Sequence, residues 1–480
     1  MVIKMSGQDL VSLLPVIILA AGMLLTMILV ALKRNHKLAL IATLIILATS
    51  FTSIFYIIEK APRFLGELFI IDRFGLYYQA LILATAFVIA IFSYISLEHL
   101  FPDKRKEEYY LLLMLATLGS AVMIISTHFI SFFVSLEILT VSLYALIGYY
   151  REYRPAIEAA LKYMVLAAMS SSFLLFGMAL VYAVSGTLSF IGLATMPLIM
   201  GADNSIMLIS GVGMMMVGIG FKLAVVPFHM WAPDVYEGAS SPVTAFIATV
   251  SKGSVLALLL RLFMLADLYR YQKLMLVFTI ISVLSMLIGN LLALRQNNVK
   301  RILAYSSIAN FGYLLVAFIS GKGMGTQAAT FYVTAYIITI LGAFGIITII
   351  SRSDNEAADI ENYKGLFWKR PFLAAALTIF LLSLAGIPLT AGFIGKYFLL
   401  TAGLEKSQWM LAIVLVISSV IGLYYYLRII VTMMKQEDGV TINSDALSVI
   451  GGLVIAILVI GVIWLGIWPT GLVAVITRLL

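Results

Sequence analysis

Apolar stretches alternate with short polar segments along nearly the whole chain. Because a transmembrane helix needs about 20 mostly apolar residues, this pattern predicts an all-α polytopic membrane protein with about 14 transmembrane helices. The predicted spans are residues 11–32, 38–58, 74–97, 109–126, 129–149, 158–184, 205–231, 242–264, 274–294, 302–320, 326–350, 371–404, 409–434 and 447–475. The polar segments between them are too short to form a soluble domain.

The composition agrees with a membrane protein. Hydrophobic residues make up 62% of the chain and charged residues 11%, against about 25% charged in soluble domains. The chain has no cysteine, which excludes iron–sulfur ligation and thiol redox chemistry by its own residues. The net charge of +8 comes from basic residues spread over short loops. We therefore interpret it as lipid-headgroup contact and a topology signal, and not as a nucleic-acid site.

The basic residues of the loops predict the orientation in the membrane. If the N-terminus lies outside, the inner loops hold sixteen lysines and arginines and the outer side holds ten. Since cytoplasmic loops carry the excess of basic residues, both termini are expected on the periplasmic side of a bacterial inner membrane. The start, MVIKMSGQDL, lacks the apolar stretch and cleavage site of a signal peptide, so the first crossing is expected to be retained.

Four ionisable residues stand alone in long apolar spans: Glu137, Lys222, Lys252 and Lys396. A charged side chain at the bilayer centre costs ~2.5–3.5 kcal/mol even on the lenient insertion scale. Intramembrane charges are mostly functional, so we interpret these four as a proton or ion path. The alternatives are a protonated structural carboxyl for Glu137 and a lysine that reaches the interface for Lys396.

Two of these spans are predicted to be interrupted. The 371–404 span contains LAGIPLTAGFIGKY, and the 205–231 span carries Pro227 after a glycine-rich run. Proline removes a helical hydrogen bond, and exposed backbone at membrane depth survives only where protein or a wet cavity covers it. Since each interrupted span also carries a lysine, the pattern is typical of a transporter built from repeats.

Lys162 and His229 are further candidates for proton transfer. Lys162 lies near an inner helix end, where a proton-uptake role and simple snorkelling are both open. His229 can relay protons because its ordinary pKa is near neutrality, but a structural histidine fits equally well. Asp234 and Glu237 lie in a turn between helices, where helix capping is favoured over a proton role.

The buried residues suggest a switch. A carboxylate beside Lys222 would hold the lysine charged, whereas separation from Glu137 would let its proton go. Lys252 could then accept the proton, and Lys396 could pass it to the far side. No nucleotide loop, cofactor ligand or metal-like histidine spacing is present in the sequence to supply energy.

Several motifs resemble those of one family. The segments 135–177, GFKLAVVPFHMWAPDVYEGASSPVTAF (220–246), QNNVKRILAYSSIANFGY (296–313) and LLSLAGIPLTAGFIGKY (381–397) resemble subunit N of bacterial respiratory complex I, NADH:quinone oxidoreductase. This is a family of antiporter-like membrane subunits. PDVYEG followed by VSKG is closer to subunit N than to the related subunits L and M or to Mrp antiporter subunits.

The resemblance implies a division of the chain into four parts. Residues 1–106 would form helices 1–3, residues 107–264 a first five-helix repeat and residues 265–435 a second, inverted one, each with a broken helix. Residues 436–480 would form the last helix. Glu137 matches the family's fifth-helix glutamate, and Lys222, Lys252 and Lys396 match its lysines on helices 7, 8 and 12. Lys162 also matches a family lysine. Leu389 replaces a proline common in the family, which predicts a milder break there.

The resemblance also implies a function. The chain would be a proton-translocating subunit of NADH:quinone oxidoreductase, driven by redox chemistry in other membrane and peripheral subunits. Flavin, iron–sulfur clusters and quinone are expected in those partner subunits, and no cofactor or metal is expected in this chain. The first alternative is an Mrp-type cation/proton antiporter subunit. The others are an independent transporter of a small solute and a scaffold without transport.

Overall fold

The computed structural model describes residues 6–100, 106–194, 202–351, 356–436 and 449–479, which are almost entirely helical. In the first half the helices are α1 (Gly7–Ser12), α2 (Leu14–Leu32), α3 (His36–Ile57), α4 (Arg73–Leu100), α5 (Glu108–Ile124), α6 (Phe129–Ile147), α7 (Arg154–Ser185), α8 (Phe190–Ala194), α9 (Ala202–Leu223), α10 (Trp231–Gly238), α11 (Ser241–Phe246) and α12 (Lys252–Leu265). In the second half they are α13 (Gln272–Leu294), α14 (Val299–Ser320), α15 (Met324–Ile350), α16 (Leu366–Lys369), α17 (Pro371–Ala385), α18 (Ala391–Glu405), α19 (Trp409–Met434), α20 (Val449–Ile467) and α21 (Thr470–Leu479).

Shorter elements join these helices. Strands β1 (Arg63–Leu65) and β2 (Phe69–Ile71) form an antiparallel hairpin before α4. Single 3₁₀ turns cover Ile58–Lys60, Leu268–Arg270 and Ile360–Tyr363. A π-helical turn, Ile247–Ser251, connects α11 to α12 and so makes one continuous segment.

The prediction of an all-α polytopic membrane protein is confirmed. Within the described residues, twelve helices are long and apolar enough to cross a membrane. Three shorter apolar helices, α5, α17 and α21, accompany them. The number of fourteen crossings and the two inverted repeats stay predictions. The last predicted span, 447–475, differs from the structure because Pro469 lies between α20 and α21 and divides it into two helices.

Both interrupted spans are broken into separate helices. α9 ends at Leu223 and α10 begins at Trp231, while α17 ends at Ala385 and α18 begins at Ala391. Five residues separate α17 from α18, and Leu389 among them has a φ of 72°. The milder break expected from Leu389 stays a prediction. Each break places helix ends and irregular backbone beside one of the predicted lysines.

The first two helices of each predicted repeat pack closely through glycine. A Cβ atom on Gly119 of α5 would lie 2.7 Å from the Leu139 amide nitrogen of α6, and one on Gly289 of α13 would lie 2.8 Å from the Ala309 amide nitrogen of α14. Side chains at these two positions would push the helix pairs apart. The segment of residues 241–265 and α14 are almost wholly buried within the bundle.

Candidate functional site

Lys222 lies in the last turn of α9, directly before the first break. Its side chain is almost fully buried. The Nζ atom donates to the Thr140 hydroxyl at 2.5 Å and to the Tyr163 hydroxyl at 3.1 Å. Thr140 donates its own hydrogen to the Leu136 carbonyl at 2.6 Å, so its oxygen is left to accept from the lysine. A cation is also favoured at this end of a helix.

Glu137 lies on α6, one turn before Thr140, and its carboxylate accepts a 2.5 Å hydrogen bond from the Ser171 hydroxyl of α7. No ion pair joins Glu137 to Lys222, although both residues are described. The direct pair considered from the sequence is therefore not formed in this structure. The two groups lie on neighbouring helices, and each has its own hydroxyl partner.

Lys252 begins α12, directly after the π-helical turn, and is fully buried. Its Nζ donates to the Ser307 hydroxyl of α14 at 2.8 Å and lies 4.9 Å from the centre of the Phe311 ring. The Tyr336 hydroxyl of α15 donates to the same serine oxygen at 2.7 Å. π-Turns are often found at functional sites, and this one sets where the Lys252 side chain enters the core.

Lys396 lies on α18, and the second break supplies its partners. The Nζ atom donates to the carbonyls of Leu384 and Ala385 at 2.9 and 3.0 Å, and to the Ser419 hydroxyl at 2.8 Å. The two carbonyls end α17, so the lysine lies at the negative end of that helix. Gly386 follows them with a φ of 84°, and a Cβ atom there would lie 2.8 Å from Lys396 Cδ. Only glycine fits this turn without strain.

The three lysines differ in how well an ammonium is compensated. Among the described residues Lys396 has three acceptors, two of them carbonyls at a helix end, whereas Lys222 has two hydroxyls and Lys252 has one. Burial of a charge is costly unless hydrogen bonds or an opposite charge offset it. The ammonium form therefore has the most hydrogen-bond acceptors at Lys396 and the fewest at Lys252.

Comparisons with known proteins identify the family of this chain. The NADH:quinone oxidoreductase/Mrp antiporter transmembrane family matches residues 126–422. A protein named NADH-quinone oxidoreductase subunit N, from Ectopseudomonas mendocina (strain ymp), is 41% identical over 476 residues, which cover 97% of this chain and 96% of the relative. The chain belongs to this antiporter family. The resemblance noted from the sequence is thus confirmed.

Solved structures share the fold of this family member. A chain of respiratory complex I from Thermus thermophilus has a TM-score of 0.82 at 29% identity and covers 96% of this chain and 98% of its own length. A chain of the Mrp complex from Dietzia sp. DQ12-45-1b has a TM-score of 0.84 at 22% identity, covering 98% and 96%. A chain of the archaeal membrane-bound sulfane sulfur reductase has a TM-score of 0.82 at 26% identity, covering 98% and 96%.

Lys162 of this antiporter-family chain lies apart from the buried lysines. Its side chain is 44% exposed and pairs with Glu158 at 2.7 Å and with Asp234 at 2.8 Å. Arg301 donates to the same Asp234 carboxylate at 2.9 Å. Burial alone would raise the pKa of Asp234, but the hydrogen bonds from Lys162 and Arg301 outweigh it and lower the pKa below its usual value. Asp234 thus stays charged at the rim of the bundle.

His229 lies in the first break, between α9 and α10, and is buried. Neither ring nitrogen has a hydrogen-bond partner among the described residues of the chain. The structure therefore does not bring His229 into the contacts of Lys222, although His229 lies in the break that follows Lys222. Its role in the antiporter-family site stays a prediction.

Sequence reasoning missed several residues of the site. The hydroxyls of Thr140, Tyr163 and Ser307 come from other helices than their lysines, so no local pattern pointed to them. Lys300 is one of the basic loop residues that were counted only as a topology signal, yet its side chain is buried, ion-paired with Glu356 and bonded to the Ala239 carbonyl at 2.5 Å. No group of three or more His, Asp or Glu side chains in the described part of the chain could hold a metal ion.

Proposed function

We propose that the chain is the proton-translocating membrane subunit of an NADH:quinone oxidoreductase. In this proposal protons move through Glu137, Lys222, Lys252 and Lys396, driven by redox chemistry in other subunits. The relative named NADH-quinone oxidoreductase subunit N, aligned over nearly the whole chain, supports the assembly. The observation that supports this proposal most directly is that three buried lysines donate hydrogen bonds to hydroxyl or carbonyl groups and form no ion pair among the described residues.

The proposed partners follow from what the chain does not provide itself. Its membrane helices bury amines and hydroxyls that can hold and pass protons. Such groups supply no energy for transport, so we assign the energy source to other subunits. Flavin, iron–sulfur clusters and quinone are assigned to the other membrane and peripheral subunits. An Mrp-type cation/proton antiporter subunit is the second candidate, because the Mrp chain shares the fold. The closer sequence relative favours the first candidate.

The assembly is tested by purification of the tagged chain in mild detergent. We expect it to arrive with flavin- and iron–sulfur-containing subunits and with NADH:quinone reductase activity, since this chain has no cysteine to ligate an iron–sulfur cluster. The measurements are the optical and electron paramagnetic resonance spectra of the purified complex and its quinone reduction rate. A stable complex without redox centres would instead support the Mrp-type candidate.

The proposed orientation has both termini on the periplasmic side of a bacterial inner membrane. Contacts within the protein are consistent with the sides predicted from the loops. Arg34 pairs with Glu108 on the predicted inner side, whereas Arg63 pairs with Asp9 on the predicted outer side. Lys4, Lys104, Arg105 and Arg352, which also entered the charge count, lie outside the described residues.

Single cysteines in this cysteine-free chain test the orientation. With a membrane-impermeant maleimide on intact spheroplasts, we expect Lys406→Cys to be labelled and Glu361→Cys to be labelled only after permeabilisation. Both side chains are exposed, and Glu361 lies in the basic 351–370 loop. Labelling of Glu361→Cys from outside would reverse the orientation. The permeabilised sample controls for the accessibility of each cysteine.

A further inference from the structure

The Ser307 hydroxyl of α14 is shared by three polar side chains that come from three other helices. Lys252 of α12 donates to its oxygen at 2.8 Å, and the Tyr336 hydroxyl of α15 donates to it at 2.7 Å. The Tyr236 hydroxyl of α10 lies 3.4 Å from the same oxygen. All four residues are buried. One serine oxygen is therefore the point at which four helices meet through hydrogen bonds.

The position of Tyr236 is fixed by ion pairs on either side of it along α10. Arg301 donates to Asp234 at 2.9 Å and to Glu237 at 2.7 Å. Arg301 lies in the first turn of α14, the helix that also carries Ser307. Charge-assisted hydrogen bonds of this kind are stronger than neutral ones. They tie α10 to α14 and so keep the Tyr236 hydroxyl beside Ser307.

The titratable groups that face Lys252 are these two tyrosines, Tyr236 and Tyr336. No ion pair joins Lys252 to a carboxylate in the described part of the chain, and the Phe311 ring lies 4.9 Å from its Nζ. Further titratable side chains inside the bundle have partners of their own: Tyr77 and Tyr78 of α4, Tyr109 of α5, Lys222 of α9, Tyr332 of α15 and Tyr426 of α19.

The bonding capacity of Ser307 connects these groups to the charge of Lys252. A hydroxyl donates one hydrogen and accepts through two lone pairs, whereas an ammonium can only donate. When Lys252 is charged, Ser307 accepts from it and from Tyr336, and the serine hydrogen is left for Tyr236. A neutral amine can accept, so after proton loss the serine hydrogen can turn to Nζ while both tyrosines donate to Ser307. The change rotates hydroxyl hydrogens and breaks no O–H bond.

We propose that Ser307 is the positioning residue that supports both protonation states of Lys252 and links them to the hydroxyl orientation of Tyr236 and Tyr336. Ser307 is the one acceptor of Lys252 among the described residues, so its loss leaves a buried ammonium without a hydrogen bond. Tyr336 donates to the oxygen that the ammonium needs, and so competes with it. Loss of Ser307 and loss of the Tyr336 hydroxyl should therefore act on Lys252 in opposite directions. This inference rests on the proposed function, since it assigns Lys252 to the proton path.

The test is NADH-driven proton pumping by the whole purified complex in proteoliposomes, recorded over a pH series and expressed per NADH oxidised. We expect Ser307→Ala to lower this ratio several-fold and to shift the pH of half-maximal pumping. Tyr336→Phe removes only a hydroxyl and is expected to shift that pH in the opposite direction. Ser307→Thr keeps the hydroxyl and is expected to retain the wild-type profile.

Ser306→Ala is the matched control, because Ser306 is an equally buried neighbour on α14 that bonds Tyr426 and not a lysine. It should keep the wild-type pH profile. Shifts of Ser307→Ala and Tyr336→Phe in the same direction, unchanged profiles in both, or an equal shift in Ser306→Ala would overturn the proposal.

A second comparison decides the matter if Ser307→Ala does not assemble. A shifted profile in Tyr336→Phe together with an unshifted one in Ser307→Thr would then support the proposal, and any other result would overturn it. The proposed function fails separately, by the absence of redox partners from the wild-type complex, which a comparison of pH profiles among variants does not measure.

Discussion

Replacement of Lys222 by alanine is expected to abolish or sharply reduce proton pumping, and arginine at this position is expected not to restore it. The Lys222 amine is buried and donates to Thr140 and Tyr163, a setting that suits an amine which gains and loses a proton. Guanidinium keeps its proton throughout the accessible pH range, and its planar fork does not match two separate hydroxyls. Both variants should therefore lose pumping for the same reason. The measurement is NADH-driven proton uptake in proteoliposomes, normalised to NADH oxidised.

Lys322→Ala is the matched control. Lys322 is an exposed lysine that pairs with Asp267 at 3.4 Å, where exposed pairs contribute little. It should pump as the wild type does. Normal pumping by the Lys222→Arg variant would show that Lys222 is only a fixed charge and takes no part in proton transfer.

The intramembrane charges could be predicted from the sequence because each interrupts a long apolar span. The three lysines are buried, whereas Glu137 is only partly buried. This reason alone singles out Glu137, Lys222, Lys252 and Lys396, and all four lie on helices in the structure. The two breaks were also predicted, since proline and glycine cluster beside the lysines. Such signals are local in the sequence, so they can be recognised without knowledge of the tertiary structure.

The partners of the lysines could not be predicted in the same way. Lys396 is held by the carbonyls of Leu384 and Ala385, and a backbone acceptor has no sequence signature. Lys252 donates to Ser307, which lies on another helix more than fifty residues later in the sequence. Because serines are common in membrane helices, nothing singled out this one. The burial of Lys300 could not be predicted, because two basic residues at the start of a helix give the same sequence pattern whether they face lipid headgroups or the protein.

The geometry changes what a switch between Glu137 and Lys222 would involve. The carboxylate is bonded to Ser171 and the amine to Thr140 and Tyr163, so the two groups are not bonded to each other in this structure. Opposite charges attract strongly over several ångströms in a low-dielectric interior, so contact is not required for coupling. Glu137 and Thr140 lie one turn apart on α6, which makes this helix the element through which both groups could respond together.

The second prediction is that Glu137→Gln combined with Lys222→Met pumps no worse than the poorer of the two single variants. If the two residues serve one proton-transfer step, the loss of either already removes that step, and the second change has nothing further to remove. Each single variant also leaves the remaining group without its partner charge, and the double variant relieves this penalty. The measurement is NADH-driven proton uptake for the wild type, both singles and the double variant.

The pair Glu137→Gln and Lys322→Ala provides the control cycle, because Lys322 lies at an exposed site with no hydrogen bond to the residues around Glu137. Effects of independent sites multiply in rate, so this double variant should show the product of its two single effects. The same multiplicative loss for Glu137 and Lys222 would mean that they act in different steps. In that case the carboxylate and the amine would be separate stations on the proton path, and α6 would not couple them.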